Sequence, residues 1–325
     1  MEKNIFSMTT EEVTIQLSES SKLKPNDLII DDLQWKYLVW AVIRGKNILF
    51  IGPTRSGKTK AAKSVAAVYA NDRPFFYFNL GSTQDARASL IGNTAFKKDQ
   101  GTIFYPSEFV KAISTKNAII LLDELSRGHH DAWNILMPVI DTTQKYIRLD
   151  EAEDSAIVPV AEGVSFIATA NVGNEYTATR VMDKALTSRF PVIIEMKVLK
   201  GRQEEELLNI LFPNVDDKQK NNFKLITKIS EETKIACKSD TPKINTFITT
   251  DAVIEMAKLV LDGFSLAEIA EMTIYPLYSD DGGKDSERLF VRQLTQKYID
   301  VISSMTASPI NDPSAKRGKV RIAFK

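Results

Sequence analysis

The stretch NILFIGPTRSGKTKAA, residues 47–62, narrows the choice of fold more than any other part of the chain. Its apolar start suits a buried strand, and Ala61, Ala62, Val65, Ala66 and Tyr69 give the segment after the second glycine a helical face. Between the two, GPTRSGKT places Gly52, Gly57, Lys58 and Thr59 at the spacing G-x-x-x-x-G-K-[ST]. A strand, a glycine turn and a helix in that order aim backbone N–H groups and a helix N-terminus at one point, which favours anionic oxygens. The glycines, with Pro53, Thr54, Arg55 and Ser56 between them, let the backbone approach a phosphate without a clashing side chain. Lys58 is expected to reach the terminal phosphates and Thr59 to offer its hydroxyl to Mg²⁺, so ATP and Mg²⁺ are the expected ligands.

Four further apolar runs lie downstream: FFYF at 75–78, AIILL at 118–122, VSFIATA at 164–170 and VIIEM at 192–196. With NILFI they are continuous rather than alternating, which predicts strands buried on both faces, with helical patterns between several of them. From residue 201 the strand signals fade. GRQEEELLNILF, NFKLITKISEETKIA, TTDAVIEMAKLVLDG, SLAEIAEMTIYPLY and SERLFVRQLTQKYIDVI read as successive helices. The expected fold class is α/β, a parallel P-loop sheet sandwiched by helices and followed by a smaller all-helical lid domain. The expected boundaries are a polar, weakly patterned extension over 1–30, a nucleotide-binding domain over 31–200, the helical domain over 201–302 and a basic tail over 303–325. Asp31 and Asp32 should cap a first helix that carries Leu33, Tyr37, Trp40, Ala41 and Arg44 at helical spacing, with Gly45 as its stop.

AIILLDEL ends a strand in Asp123 and Glu124, an acid pair at the carboxyl edge of the sheet beside the phosphate loop. Asp123 is suited to supporting Mg²⁺, and Glu124 to polarising an attacking water, a role needed only where water is the phosphoryl acceptor. IATAN puts Asn171 at the same edge, able to orient water or sense a γ-phosphate. ALTSRFP puts Arg189 just ahead of the last strand, where it could project into a neighbour's nucleotide; Arg180 is a second candidate.

Composition removes other classes. Lysine plus arginine equals aspartate plus glutamate at 42 each, so overall charge gives no reason to expect nucleic acid or membrane as a partner. One cysteine, Cys237, and two histidines, His129 and His130, argue against a disulfide or a soft-ligand metal site. Cys237 reads as inert, and the histidines as surface or interface residues that open a helix. No apolar stretch approaches the ~20 residues that cross a bilayer, and the start lacks a signal core, so the expected location is the cytoplasm.

Taken in order, GPTRSGKT, LLDEL, IATAN and TSRF resemble an AAA+ ATPase. DELSRGHHDAWNILMPVID, the strand-like excursion in KYIRLDEAEDSAIVPVAEGVSFIATAN before Asn171, and the insertion ASLIGNTAFKKDQGTIFYPSEFVKAI narrow the likeness to the MoxR branch, with its relatives CbbQ, NorQ and the ATPase subunits of metal chelatases. The likeness covers 32–200 well and 201–302 in order of elements only. It implies a ring, usually a hexamer, with ATP between subunits and a partner protein as client, often one with a von Willebrand factor A domain. By that resemblance Gly52, Gly57, Lys58 and Thr59 bind nucleotide, Asp123 and Glu124 serve magnesium and water, Asn171 is the first sensor, and Arg189 is a finger offered in trans. The hairpin-like segment 94–106, with Phe96, Lys97, Lys98, Phe104 and Tyr105, would face the ring's channel and grip the client. One departure stands out: ITTDAVIEM has Asp251 where relatives carry a second-sensor arginine, which leaves that contact to Arg288, to Arg292 or to neither. The expected function is an Mg²⁺-dependent ring ATPase that remodels a partner protein. A nucleic-acid motor or loader competes, on the lysines of the insert and the tail KRGKVR, although the balanced charge argues against it. A chelatase subunit is the third reading.

Overall fold

The computed structural model describes residues 8–68, 73–82, 84–98, 101–150, 152, 156–171 and 182–306, with 300–306 described by backbone alone. Contacts divide the chain into two units, Met1–Pro213 and Asn214–Lys325.

The first unit contains strands β1 (Ile48–Gly52), β2 (Phe75–Asn79), β3 (Gly92–Lys97), β4 (Gly101–Pro106), β5 (Ile119–Asp123), β6 (Tyr146–Leu149), β7 (Ala156–Pro159), β8 (Ser165–Asn171) and β9 (Val192–Glu195). Its helices are α1 (Thr10–Ser18), α2 (Asp32–Ile43), α3 (Lys58–Ala67), α4 (Ala86–Leu90), α5 (Glu108–Ser114), α6 (His130–Ile140), α7 (Lys184–Thr187) and α8 (Gly201–Leu211). Five strands form one parallel sheet in the order β2-β5-β8-β1-β9, while β3-β4 and β6-β7 are antiparallel hairpins. Alternate residues of the inner strands feed two cores. From β5, Ile120 and Leu122 meet the side chains of α4, α5 and α6, while Ile119 and Leu121 meet those of α2 and α3. This is the helix–sheet–helix sandwich expected of a parallel sheet.

The two outer strands depart from expectation. FFYF and VIIEM are covered on one face only: Phe75 and Tyr77 of β2 are 39% and 42% exposed, and Ile193 of β9 is 49% exposed. Both are sheet edges, and the helices that cover β2 do not extend over β9, nor the reverse. Continuous apolarity alone does not separate an edge strand from a central one.

Helix α2 also turns a different face to the core. Trp35, Leu38, Val39, Ala41 and Val42 are buried, whereas Leu33 is 79% and Tyr37 41% exposed. The segment is apolar on more than one side, and the N-terminal residues decide between them. Trp35 Nε1 donates to the carbonyl of Ser20 at 2.8 Å, and Val13 and Leu28 pack into the same core. Asp31 holds the N-cap position without a side-chain capping bond. The stretch 1–30 includes α1, started by a capping box between Thr9 and Glu12.

The second unit is helical where described: α9 (Asp217–Cys237), α10 (Thr250–Leu261), α11 (Leu266–Ile269) and α12 (Glu287–Thr306). The run SLAEIAEMTIYPLY is not one helix. It passes from α11 through a π turn at Ala270–Ile274 into a 3₁₀ turn at Tyr275–Leu277, where Pro276 has no N–H to continue an α-helix. No described helix is long and apolar enough to cross a membrane.

Candidate active site

Gly52 at the end of β1 pairs with Asn171 of β8, and Asp123 at the end of β5 pairs with Asn79 of β2. The sheet register thus gathers these residues at its carboxyl edge, where open α/β sheets take their ligands.

The loop after β1 turns through left-handed backbone at Arg55 (φ 61°) and at Gly57 (φ 85°), the N-cap of α3. Gly52 lies at φ 146°, and a Cβ on it would stand 2.1 Å from the carbonyl oxygen of Met196, so only glycine fits there. Ser56 is buried and its hydroxyl has no hydrogen-bond partner. Lys58 is 7% exposed, and its ammonium donates to the carbonyls of Gly52 at 3.0 Å and Pro53 at 2.5 Å. Burial pulls its pKa down to about 8, opposed by the nearby Asp123 and Glu124. Two carbonyl dipoles compensate a buried cation poorly. With an orphaned hydroxyl in the same loop, the cradle fits a chain of phosphates.

Thr59 Oγ1 donates toward Asp123, 3.0 Å from Oδ1 and 3.3 Å from Oδ2. The same carboxylate accepts from Thr169 at 2.5 Å and from Tyr77 at 2.9 Å. The phenol of Tyr77 is pushed up to about 12, by burial first and then by its bond to Asp123. A hydroxyl beside a carboxylate is the hard oxygen pair that Mg²⁺ accepts together with phosphate oxygens. Among the described residues no group of three or more His, Cys, Asp or Glu could hold a metal. A cation here would therefore complete its shell from phosphate and water.

Glu124 adopts left-handed backbone (φ 55°, ψ 40°), and its N–H donates to Thr169 Oγ1 at 3.0 Å. The turn parts the two acids: Asp123 faces Thr59, and the Glu124 carboxylate lies over Gly81, where an added Cβ would be 2.3 Å from Oε2. Arg127 stands 3.4 Å from Glu124 in a partly exposed bridge of small energetic weight. Asn171 is buried, and its N–H donates to Ser126 Oγ at 3.0 Å. Beside the loop, a cleft of ≈ 860 Å³ opens between Leu28, Ile29 and Ile30 on one side and Met196, Leu199 and Ile210 on the other.

Comparison with known proteins agrees with this layout. The AAA domain (dynein-related subfamily) matches residues 47–190, from the start of β1 to the turn before β9. BssE of Thauera aromatica, provisionally named a chaperone, is 31% identical over 163 residues, 50% of this chain and 54% of that protein. YojN of Bacillus subtilis, uncharacterized, is 29% identical over 170 residues, 52% of this chain and 53% of its own. The chain thus spans about half the length of these two curated relatives. The uncharacterized protein SSP1341 of Staphylococcus saprophyticus is 30% identical over 200 residues, 58% of this chain and 73% of that protein. The chain is an AAA+ ATPase of the MoxR branch. Its first unit carries the AAA domain of that family.

Within the AAA+ unit, Arg189 is not brought to the site. Asn47 Nδ2 donates to the Arg189 carbonyl at 3.2 Å and to that of Ile140 at 3.0 Å, and its Oδ1 accepts from Phe166 N–H at 3.1 Å. These bonds hold Arg189 at the amino edge of the sheet, a full strand length, roughly 15 Å, from Gly52. Its guanidinium donates to the carbonyls of Met137 (3.0 Å) and Ala185 and pairs with Asp141 at 3.2 Å. Arg180, Tyr69 and tail residues 307–325 lie outside the described residues.

In the helical unit of this AAA+ chain, Arg292 pairs with both oxygens of Glu271 at 2.6 and 2.8 Å and sits 4.1 Å over the Tyr275 ring. Arg288 donates to the Tyr278 carbonyl and stands 3.5 Å from Asp280. Asp251 lies in the first turn of α10. The insert forms the β3-β4 hairpin, where Phe96 is 77% and Tyr105 48% exposed while Phe104 packs against the core. His129 holds the N-cap position of α6, and His130 meets Trp133 edge-on at 4.8 Å.

Sequence reasoning misses Tyr77, Thr169 and Gly81. Thr169 stands two residues before Asn171 and Tyr77 two before Asn79, on the side shared by alternate strand residues. A lone hydroxyl in FFYF is the available signal. Gly81 has none, because its role is to leave room for Glu124.

Proposed function

We propose that this chain is a ring-forming, Mg²⁺-dependent ATPase, with ATP at subunit interfaces, that couples hydrolysis to the remodelling of a partner protein. The observation that carries the interface reading is the separation of Arg189 from the phosphate loop of its own chain. With its backbone carbonyl held at the amino edge by Asn47 and its guanidinium by Asp141 and the Met137 carbonyl, Arg189 is too far away to serve the carboxyl edge of the same sheet. A neighbour in a head-to-tail ring can use it.

In this reading Gly52, Pro53, Thr54, Arg55, Ser56, Gly57 and Lys58 cradle the phosphates, and the cleft beside Met196 takes the nucleoside. Glu124 takes the proton of the attacking water, and Asn171 orients that water against the γ-phosphate. Thr59 and Asp123 hold magnesium, which when bound supplies neutralising charge to the phosphate oxygens. The neighbour's Arg189 stabilises charge that develops on the transferred group. The hairpin, with Phe96 exposed near its tip and Phe104 packed against the core midway along it, is the client-gripping element. The client is a protein, with a von Willebrand factor A domain as the expected kind of partner, and the ring is a hexamer.

The test is Glu124→Gln. The variant is expected to bind ATP with Mg²⁺, to assemble, and to lose turnover by roughly 10²–10⁴. In that trapped state it should retain a protein client, and its mass should be that of six chains. Normal hydrolysis would remove the role of Glu124, and a chain that stays monomeric with ATP and Mg²⁺ would overturn the interface reading. Nucleic acid that raises turnover with a steep salt dependence would move the assignment to a nucleic-acid motor.

A further inference from the structure

Asp123 receives hydroxyls from three elements, and one of them comes from the edge of the sheet. Thr169 of β8 donates to Oδ1 at 2.5 Å, and Tyr77 of β2 donates to Oδ2 at 2.9 Å. Because β2 and β8 flank β5, the two carboxylate oxygens are held from opposite sides. Thr59 reaches across both from α3. The Tyr77 ring is itself secured: Lys63 Nζ lies 4.7 Å from its centroid, one turn beyond Thr59 on the same helix. Helix α3 therefore touches Asp123 directly through Thr59 and indirectly through Lys63 and Tyr77.

A carboxylate held by one oxygen can swing about its Cβ–Cγ bond, and a second donor on the other oxygen stops that rotation. Phenylalanine would satisfy the packing of a ring 42% exposed on an edge strand, so packing does not explain the hydroxyl. We propose that Tyr77 is a positioning residue for the divalent cation, fixing the orientation of Asp123 through its phenolic O–H. This rests on the proposed assignment of Thr59 and Asp123 to magnesium. Partners of this outer kind are commonly worth about 10–100-fold in metal affinity.

The experiment is Tyr77→Phe in the full chain, which keeps the ring and its contact with Lys63 and removes one O–H. Binding of a fluorescent ATP derivative is measured in EDTA and across a MgCl₂ titration, and free Mn²⁺ is followed by its EPR signal in the presence of nucleotide. Affinity in EDTA should be unchanged, the MgCl₂ concentration at half of the metal-dependent gain should rise about tenfold or more, and less Mn²⁺ should be bound. An unmoved MgCl₂ midpoint, or an equal loss with and without metal, overturns the role of Tyr77. A wild-type chain with no metal-dependent gain, or an Asp123→Asn variant that behaves like wild type, would instead remove the magnesium assignment itself.

Discussion

Arg189 and Asp141 pair at 3.2 Å with side chains 19% and 18% exposed. The Asp141 carboxylate is also bound by the hydroxyl and N–H of Thr143 and by the N–H of Gln144, and these bonds, that to the Thr143 hydroxyl first, hold its pKa below the ordinary range. The pair is a fixed berth at the edge of the sheet opposite the phosphate loop. If the berth presents Arg189 to a neighbour, two inactive variants should repair each other. Glu124→Gln lacks the acid and keeps the finger; Arg189→Ala keeps the acid and lacks the finger. Each alone should lose at least about 10²-fold in turnover while still binding ATP, and an equal mixture should regain activity at about one interface in four. Mixed rings with no more activity than the separate variants would place Arg189 outside the reaction.

Gly81 offers a test of Glu124 that leaves the acid in place. A Cβ there would stand 2.3 Å from Glu124 Oε2 and 3.2 Å from its Cβ. The obstructing atoms belong to a flexible side chain, so Gly81→Ala should displace the carboxylate without unfolding the sheet. Turnover is expected to fall roughly 10–100-fold, with nucleotide affinity within about twofold of wild type, since general-base action depends on position at the ångström scale. Steady-state kinetics and equilibrium binding on the same preparation decide it; equal losses in both would mean the loop itself had been disturbed.

Lys58 gives a pH signature. Its pKa in the free protein, about 8, is below the 10.5 of an ordinary lysine because of burial. Bound phosphates favour the charged ammonium and raise that value, so above pH 8 binding must take up a proton. Affinity for ATP in EDTA should be fully present below about pH 8 and weaken by up to tenfold per unit above it, where the phosphates themselves are already ionised. Calorimetry in buffers of different ionisation heat would register the proton uptake at pH 9 and little at pH 7. A flat affinity between pH 7 and 9.5 would contradict the buried, partly neutralised ammonium.

Much of this layout is readable from local sequence, for a physical reason. Gly52, Lys58, Thr59 and Asp123 lie at strand ends and a helix start, and short-range chemistry dictates where such elements begin and stop. Residues whose roles depend on what lies across the sheet escape such reading. Tyr77 and Thr169 gain their roles from register with β5, Gly81 from an emptiness, and Asn47 from binding residues far along the chain. The buried face of α2 escapes it for the same reason: DLQWKYLVWAVI can bury either side, and the choice falls to Ser20, Val13 and Leu28.

Arg73 shows how large such a hidden role can be. It is 1% exposed, and burial lowers its pKa to about 10. Its guanidinium donates to the carbonyls of Asn117 (2.8 Å), Val42 (2.9 Å), Ala118 (3.2 Å) and Gly163 (2.9 Å) and to Ser165 Oγ (2.7 Å). One side chain thereby ties the end of α2 to the starts of β5 and β8, at the edge opposite the nucleotide cradle. Arg73→Met would fill a similar volume but take a donor from the buried carbonyls of Val42 and Ala118 and the part-buried carbonyls of Asn117 and Gly163, at a cost of about 2–4 kcal/mol. Arg73→Lys should recover only part of this, because an ammonium has three donors and lacks the planar fork that spans these acceptors. Thermal unfolding of the nucleotide-binding unit should therefore fall by roughly 10 °C for Met and by less for Lys. A Met variant that melts with wild type would mean that water replaces the guanidinium at no cost, and that the amino edge is not sealed as the bonding pattern requires.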